Sequence, residues 1–363
     1  MPNITSKRQG MKRVGHVFDK IVSVDNLRRA DIIARKGKLR TYGVREHDKK
    51  CEEHIQSLHE MLVNGTFKTS PYFVFKIYEP KERIIYRLPY YPDRIVHHAI
   101  MNVLEPIWVG MFTTDTYSCI KKRGIHGCAK AVKRALHNDP DGTTYCLKLD
   151  IRKFYPSVDH EILKQVIRRK IKDVKLLHLL DEIIDSVDAG IPIGNYLSQY
   201  FANVYLTYFD HWLKETLHIK HYFRYADDIV ILSSSKEQLR TWFAQIRDYL
   251  WNNLKLSIKD NWQVFPVDAR GIDYVGYVFR HKYTRLRKNI KKNLCHRAAK
   301  IRKLDLLYIP RTKMKRWFAS WWGWCKYCDS KHLLNKLFNY INHDTDITYQ
   351  RALRHGAWNA AHI

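Results

Sequence analysis

The sequence has few features of a secreted or membrane-bound protein. It contains no long apolar run and no signal peptide, which argues against a membrane-spanning helix and against export. Its seven cysteines are scattered and odd in number, so they fit a reducing cytosol better than a disulfide framework. Acidic residues are scarce, because 36 of them face 64 lysines and arginines, for a formal charge of +28. This excess favours a polyanionic partner, most simply a nucleic acid, over an anionic membrane.

The remaining composition is that of a folded protein. With 363 residues, of which 45% are hydrophobic, the chain can bury a sizeable core in two or three subdomains. Cys325 and Cys328 form a C-x-x-C pair. Without a second pair at zinc-finger spacing, they fit two thiols on a helix face better than a metal site.

Two adjacent carboxylates, Asp227 and Asp228, lie in the stretch FRYADDIVIL at residues 223–232. Apolar and β-branched residues on either side predict two short buried strands, with a tight turn at the Ala-Asp-Asp between them. By itself, an Asp-Asp pair fits a solvated turn. Buried carboxylates need partners, however, and metal ions are among the best of these.

A second strand that ends in an acid lies upstream, in the stretch TYCLKLD at residues 144–150. Its side chains alternate with period two up to Asp150, and Asp159 is placed to cap a following helix. Phosphoryl transfer by two metals needs carboxylates from separate strands to hold two Mg²⁺ ions about 4 Å apart. We therefore predict Asp150, Asp227 and Asp228 as the catalytic, metal-binding acids.

Together, the two motifs resemble the palm of a reverse transcriptase. That family carries an aromatic-Ala-Asp-Asp sequence and an upstream D-I-x-x-F-[FY]-x-x-V-D stretch, which is residues 150–159 here. The resemblance covers roughly residues 72–280 and implies an α+β right-hand polymerase. It also implies an RNA template, a DNA or RNA primer, dNTP substrates and two Mg²⁺ ions per site. The implied metal-binding residues are Asp150, Ile151, Asp227 and Asp228.

The domain prediction follows the order of the family. Residues 1–45 are predicted to be a basic, irregular extension that is either solvated or lies along RNA. Residues 46–140 are predicted to form fingers, and residues 141–281 a palm, with helices near 160–190 contributing to the fingers. Residues 282–363 are predicted to form a helical thumb and tail, and we expect no RNase H or endonuclease domain after it.

A hairpin is predicted over residues 72–88, with Lys81 in its turn. Lys81 and Arg83 suit contact with a triphosphate, or else they are solvated turn charges. The string R-x-x-x-x-L-P-x-x-x-D-R-[IV]-V, which begins at Arg83, resembles the fingers of group II intron-like bacterial reverse transcriptases. This resemblance favours Lys81 and Arg83 at the nucleotide and Arg94 on nucleic acid. The helix that contains Arg94 is predicted to end before Pro106.

Two basic clusters are predicted to contact the nucleic-acid backbone. The first is a loop cluster that could equally be solvated, and the second opens the basic, tryptophan-rich segment that resembles a thumb in its position. Such a segment suits an RNA–DNA duplex or a protein partner, although some of its tryptophans are expected in a core. The residues predicted in these clusters are Lys121, Lys122, Arg123, Arg287, Lys288, Lys291 and Lys292.

A helix is predicted from about residue 195, and the sequence of the loop before it distinguishes branches of the family. Most reverse transcriptases have Gln-Gly and then Ser-Pro here, whereas this chain has Ile193-Gly194 and then Ser198-Gln199. The form [IVL]-G-x-x-x-S-Q resembles the diversity-generating retroelement branch, which copies a template-repeat RNA with errors at adenine. This resemblance implies mutagenic retrohoming, a bacterial or phage source and a small basic accessory protein oligomer. It also places Ile193, Gly194 and Gln199 at the nucleotide.

Two further residues are predicted at the nucleotide. Tyr155 lies where the family has an aromatic gate against the sugar 2′-hydroxyl, although a tyrosine after a strand also suits a core. Lys259, in the stretch LKLSIK, matches a family lysine near the phosphates, or else it is a surface lysine. After it, residues 262–267 and 272–280 are predicted to pair as a hairpin that resembles the primer grip.

Three other functions remain open. The chain resembles group II intron-like and retron reverse transcriptases, but Ile193 stands where those usually keep Gln. A defence-type enzyme would polymerise without a template. A non-catalytic RNA-binding scaffold would have no need of Asp150 and Asp227. We expect a cytoplasmic polymerase.

Overall fold

The computed structural model describes residues 12–78, 82–303 and 311–338. The chain forms two compact units: Met1–Gly124 with Tyr145–Phe265, and Ile125–Thr144 with Pro266–Ile363. Helices and antiparallel sheets occur together, as an α+β fold requires. No helix among the described residues is long and apolar enough to cross a membrane. The finer division into fingers, palm and thumb stays a prediction.

The helices and strands are labelled in chain order. The described helices are α1 (Phe18–Val22), α2 (Val24–Ala34), α3 (Tyr42–Asp48), α4 (Cys51–Val63), α5 (Ile95–Val109), α6 (Gly124–Asn138), α7 (His160–Arg168), α8 (Val174–Ile184), α9 (Tyr196–Tyr205), α10 (Thr207–Glu215), α11 (Lys236–Leu254), α12 (Val267–Arg270), α13 (Lys288–Lys303), α14 (Arg311–Cys325) and α15 (Lys331–Phe338). The described strands are β1 (Phe73–Ile77), β2 (Arg83–Arg87), β3 (Tyr145–Asp150), β4 (His221–Tyr225), β5 (Asp228–Ser233), β6 (Gln263–Pro266), β7 (Ile272–Tyr274), β8 (Tyr277–Phe279) and β9 (Thr284–Leu286).

The N-terminal segment is helical where the structure describes it. Ile21 of α1, Leu27 of α2 and Val44 of α3 are fully buried, and α2 packs against α5. Ser23 caps α2 by accepting a hydrogen bond from the backbone N–H of Asn26. The prediction of an irregular extension is therefore wrong from Phe18 onward, because the apolar faces of these helices contribute to a core.

Helix α5 runs through Pro106 and ends at Val109, so the prediction that it stops before the proline is wrong. A proline inside a helix removes one backbone hydrogen bond and strains the preceding turn. Leu104 and Trp108, on either side of it, are fully buried. Burial of these large apolar side chains accounts for the continuation of the helix.

The central sheet has the strand order β4-β5-β3-β6. Strand β5 runs antiparallel to both β3 and β4, as the flanks of the acid motifs predict. Ala226 takes a φ of +56° in the turn between β4 and β5. Apolar residues from both strands are buried, among them Leu147, Leu149 and Ile231, and α11 packs against β3 and β5. This packing holds the acid-bearing ends of the strands in register.

The region after α11 differs from the predicted hairpin. Strand β6 lies beside β3 in the central sheet, whereas β7, β8 and β9 form a separate antiparallel sheet in the second unit. Gly271 redirects the chain between β6 and β7 with a φ of +81°. Gly276 turns β7 into β8, and a Cβ there would overlap the ring of Trp324. Arg285 lies in strand β9, within the segment of residues 282–363 that is predicted to be helical.

The hairpin of β1 and β2 has the predicted antiparallel pairing, from Phe73 opposite Arg87 to Ile77 opposite Arg83. Its predicted turn, including Lys81, lies outside the described residues.

Candidate active site

The three predicted acids meet at the end of the ladder formed by β3 and β5. Asp150 is the last residue of β3 and lies opposite Asp228, the first residue of β5. Asp227 precedes Asp228 in the turn from β4. The backbone N–H of Ile151 donates to the carbonyl of Asp227 over 3.2 Å, which joins the two acid-bearing segments.

The carboxylates of the acid cluster repel one another. Burial, followed by repulsion from Asp150, raises the pKa of Asp227 to about 6. Lys259 supplies a cation, because its Nζ lies 2.6 Å from Oδ1 of Asp150 and its backbone N–H donates to the Asp150 carbonyl over 2.9 Å. The lysine ammonium thus stands where a bound cation would relieve the same repulsion.

The donor set suits a hard divalent cation. Asp150, Asp227 and Asp228 offer carboxylate oxygens, which are the ligands that Mg²⁺ prefers. Ile151 is fully buried and its side chain is apolar, so only its backbone carbonyl can serve as a ligand. These residues therefore fit the predicted metal site in the chemistry of their donors.

A buried ion pair supports the turn between β4 and β5, and the sequence analysis missed it. Arg224 donates to both carboxylate oxygens of Asp210, at 2.8 and 2.5 Å, and neither side chain is exposed. Nη1 of Arg224 also donates to the carbonyl of Ala226 over 3.1 Å. Tyr222 and Thr116 donate to the same carboxylate through their hydroxyls. The guanidinium thereby fixes the residue that precedes Asp227.

Tyr155 lies close to the acid cluster. Burial raises its pKa, and the ionisable groups of Cys119 and Asp227 contribute in the same direction. The backbone N–H of Ile191 donates to the carbonyl of Tyr155 over 2.9 Å. Gly190 has a φ of +71°, and a Cβ there would lie 2.6 Å from that same carbonyl oxygen. The loop that begins at Gly190 is thus packed against the backbone of the predicted gate residue.

The Ile193-Gly194 pair is packed against β2. The backbone N–H of Tyr86 donates to the carbonyl of Ile193 over 2.8 Å. Gly194 has a φ of +118°, and a Cβ there would lie 3.0 Å from both the Tyr86 carbonyl and a methyl group of Ile85. Glycine is therefore required by conformation and by space. The structure joins this loop to the strand that begins at Arg83.

Two other predicted nucleotide contacts are solvent-exposed. Arg83 is exposed at the start of β2, and Gln199 is exposed in the first turns of α9.

The first basic cluster, formed by Lys121, Lys122 and Arg123, contains one residue with structural contacts and two exposed lysines. Nη1 of Arg123 donates to the backbone carbonyls of Thr113 and Thr116, at 2.6 and 2.9 Å. These contacts favour a role for Arg123 in holding its own loop. Lys121 and Lys122 are exposed.

The other predicted nucleic-acid contacts differ in the same way. Arg94 is half-buried and donates to the carbonyl of Ala34 over 3.3 Å. In the second unit, Arg287 pairs with Asp273 at 2.5 Å. The lysines of the early turns of α13 are exposed: Lys288, Lys291 and Lys292.

Comparison with known proteins places this site in a family. The family described as "Reverse transcriptase (RNA-dependent DNA polymerase)" matches residues 79–279, more than half of the chain. Protein YkfC of Escherichia coli is 26% identical over 234 residues, which cover 59% of this chain and 55% of that protein. Group II intron-encoded protein LtrA of Lactococcus lactis is 22% identical over 304 residues, which cover 63% of this chain and 50% of LtrA. The chain spans about half the length of these relatives.

Among solved structures, that of apo telomerase from Candida tropicalis is similar with a TM-score of 0.46 and 10% identity, covering 59% of this chain and 48% of that one. The family match contains β3, β4, β5 and the acid cluster. It confirms the predicted α+β polymerase fold and the resemblance to group II intron-type proteins. The chain belongs to the reverse transcriptase (RNA-dependent DNA polymerase) family.

Proposed function

We propose that this protein is an active RNA-directed DNA polymerase that extends a DNA or RNA primer on an RNA template. The observation that carries the proposal is the meeting of Asp150, Asp227 and Asp228 at one end of the β3–β5 ladder. These residues, with the Ile151 carbonyl, would hold two Mg²⁺ ions. When bound, Mg²⁺ supplies charge stabilisation for the primer hydroxyl and for the triphosphate of the incoming dNTP.

The protein groups around the acids have distinct roles in this proposal. Lys259 neutralises Asp150 before metal binds, and its ammonium is then available to the triphosphate. Tyr155, whose pKa is raised in part by Asp227, would exclude a ribose 2′-hydroxyl with its ring. Arg83 and Lys81 contact the triphosphate, and the exposed lysines contact the nucleic-acid backbone. The loop that contains Ile193 constrains the nascent base pair, and a backbone hydrogen bond to β2 holds this loop in place.

Replacement of single acids tests the polymerase assignment. We expect Asp150→Asn and Asp227→Asn each to lower primer extension by at least about a hundredfold, since each removes charge that stabilises the transition state. RNA binding, measured by filter retention, should change little because the +28 surface remains.

Asp260→Asn is the matched control, because Asp260 is an exposed acid that pairs with Arg152 outside the cluster. Its extension rate should equal that of the wild type. Extension by Asp150→Asn or Asp227→Asn at wild-type rates would refute the assignment of the acids.

The branch of the family is the finer part of the proposal. We assign the chain to the diversity-generating retroelements, in which it copies a template-repeat RNA with errors at adenine for targeted protein diversification. The support is Ile193-Gly194 followed by Ser198-Gln199. The Ile193 side chain neither donates nor accepts a hydrogen bond, so it constrains a nascent pair less than Gln would. A small basic accessory protein and a cytoplasmic location belong to the same proposal.

Sequencing of cDNA from a defined RNA tests the branch. We expect the wild type to misincorporate mainly opposite template adenine, and Ile193→Gln to reduce those errors. Ile193→Leu, which adds no hydrogen-bonding group at the same position, is the matched control and should keep the errors at adenine. Equal error rates at the four template bases in the wild type would contradict the assignment.

A group II intron-like function is the second candidate, and the similarity to LtrA favours it. The neighbouring DNA distinguishes the two candidates. A pair of near-repeats that differ at adenines supports a diversity-generating retroelement, whereas a flanking intron supports the second candidate. A homopolymer made without added RNA would instead indicate a defence-type enzyme.

A further inference from the structure

Three possible metal ligands from three helices converge in the N-terminal part of the first unit. Asp31 comes from α2, His47 from α3 and Cys51 from the first turn of α4. One ligand atom from each lies within 4.8 Å of the others. Asp31 and His47 are buried and Cys51 is half-buried, so the cluster faces the protein interior.

Two of the three separations between these side chains are those of a tetrahedral metal site, and the third is slightly longer. Nε2 of His47 lies 3.4 Å from Oδ1 of Asp31 and 3.4 Å from Sγ of Cys51. Sγ of Cys51 lies 4.0 Å from the other oxygen of Asp31. Bonds of about 2.0–2.3 Å from zinc to oxygen, nitrogen and sulfur put tetrahedral ligands about 3.3–3.8 Å apart. Because His47 and Cys51 approach different oxygens of Asp31, its carboxylate must turn to bring one oxygen, the nitrogen and the sulfur onto one ion.

Partners outside this set hold the possible ligands in place. The Tyr90 hydroxyl donates to Oδ1 of Asp31 over 2.5 Å, and Arg35 binds Oδ2. Nδ1 of His47 lies 3.1 Å from Nδ1 of His54, which leaves Nε2 directed at the cluster. Hydrogen bonds of this kind commonly fix the orientation of metal-bound carboxylates and imidazoles.

We propose that Asp31, His47 and Cys51 bind one zinc ion, with solvent as the fourth ligand. A set of one oxygen, one nitrogen and one sulfur suits zinc, whereas Mg²⁺ takes oxygen ligands and does not select a thiolate. The ion joins α2, α3 and α4. It therefore stabilises the helices that carry the basic N-terminal segment, and it takes no part in the proposed polymerase chemistry.

Metal analysis of the full-length protein tests the site. After chelator treatment and incubation with zinc, we expect about one zinc per chain in the wild type. Cys51→Ser and His47→Gln should lower zinc affinity by at least about tenfold. The matched control is Cys328→Ser, because Cys328 is another half-buried thiol and belongs to the C-x-x-C pair. If the control removes zinc and Cys51→Ser does not, the proposed ligands are wrong.

A measurement on the wild type keeps the test independent of variant folding. Zinc should slow alkylation of the Cys51 thiol by iodoacetamide at least about tenfold, and leave alkylation of Cys328 unchanged, as read by peptide mass spectrometry. Substitution with cobalt should give thiolate-to-metal charge-transfer absorption. No zinc uptake, or equal alkylation of Cys51 with and without zinc, would mean a hydrogen-bonded cluster only and would overturn the proposal.

Discussion

Two ion pairs of the first unit, Asp150 with Lys259 and Asp210 with Arg224, each include a residue of the central sheet but differ in burial. Asp150 and Lys259 approach to 2.6 Å, but their side chains are 30% and 34% exposed. Asp210 and Arg224 approach to 2.5 Å with both side chains fully buried. The first pair includes a predicted metal ligand, whereas the second lies under the turn that presents Asp227.

Because of this difference in burial, the partners of Asp150 and Lys259 can be replaced at low cost, whereas those of Asp210 and Arg224 cannot. A partly exposed pair contributes about 0–1 kcal/mol, so a cation or a phosphate can replace either partner at low cost. A buried pair that loses one partner leaves an uncompensated charge, which costs about 3–5 kcal/mol. Arg224 therefore holds the turn before Asp227 through a contact that is costly to lose, whereas the contact between Asp150 and Lys259 can be replaced at low cost.

Loss of the buried arginine should have the largest effect on stability. We expect Arg224→Met to lower the free energy of unfolding by about 3–5 kcal/mol, because the Asp210 carboxylate stays buried without its cation. Urea denaturation of the metal-free protein measures this change. Combining Arg224→Met with Asp210→Leu should recover part of the loss, since both charges are then gone. A loss below 1 kcal/mol in the single variant would show that the pair is not the support described.

Removing the charge of Asp227 should have a smaller and opposite effect. The pKa of Asp227 is raised to about 6, so the folded protein binds this proton more tightly than the unfolded chain does. The Asp227 carboxyl therefore does not destabilise the folded protein below pH 4. Its destabilising effect grows from pH 4 to pH 6 and remains at higher pH. With about 1.4 kcal/mol per tenfold change in proton affinity, Asp227→Asn should stabilise the metal-free protein by about 1–3 kcal/mol at pH 7.

Urea denaturation at pH 4 and pH 7, with a chelator present, checks the Asp227 prediction. The gain should vanish at pH 4, and Asp260→Asn is the control that removes an exposed carboxylate outside the cluster. An equal gain at both pH values would mean that repulsion within the acid cluster is not its source.

The two pairs also differ in how far the sequence predicts them. Asp150 and Asp227 end or follow runs of apolar residues with strand periodicity, so their meeting can be predicted from local patterns and a known motif. Arg224 is a lone charge within an apolar strand, which signals a buried partner but does not identify it. Its partner, Asp210, comes from helix α10, and that contact depends on tertiary packing. The sequence therefore predicts the site but not its support.

In the N-terminal segment, the prediction from charge density was wrong. The basic residues of the N-terminal segment suggested an irregular arm, yet Ile21 and Leu27 are apolar residues of amphipathic helices. A helix can carry a charged outer face and a buried inner one, so net charge is a poor guide to order. The partner of β6 was also mispredicted, because pairing with β3 joins residues that are distant in sequence.

Loss of Lys259 should have the smallest effect on stability, and it addresses the replaceable pair directly. We expect Lys259→Met to change the free energy of unfolding of the metal-free protein by less than about 1 kcal/mol, because the pair is partly exposed to water.

The effect of Lys259→Met on metal binding should be clearer than its effect on stability. The ammonium occupies an oxygen of Asp150 and repels an approaching cation, so its removal should tighten Mg²⁺ binding. An energy of about 1 kcal/mol corresponds to roughly a fivefold lower half-saturating concentration. A Mg²⁺ titration followed by thermal unfolding measures this, with Lys255→Met as the exposed lysine control. Weaker Mg²⁺ binding in Lys259→Met would mean that Lys259 organises the site, and the contrast with Arg224 would then fail.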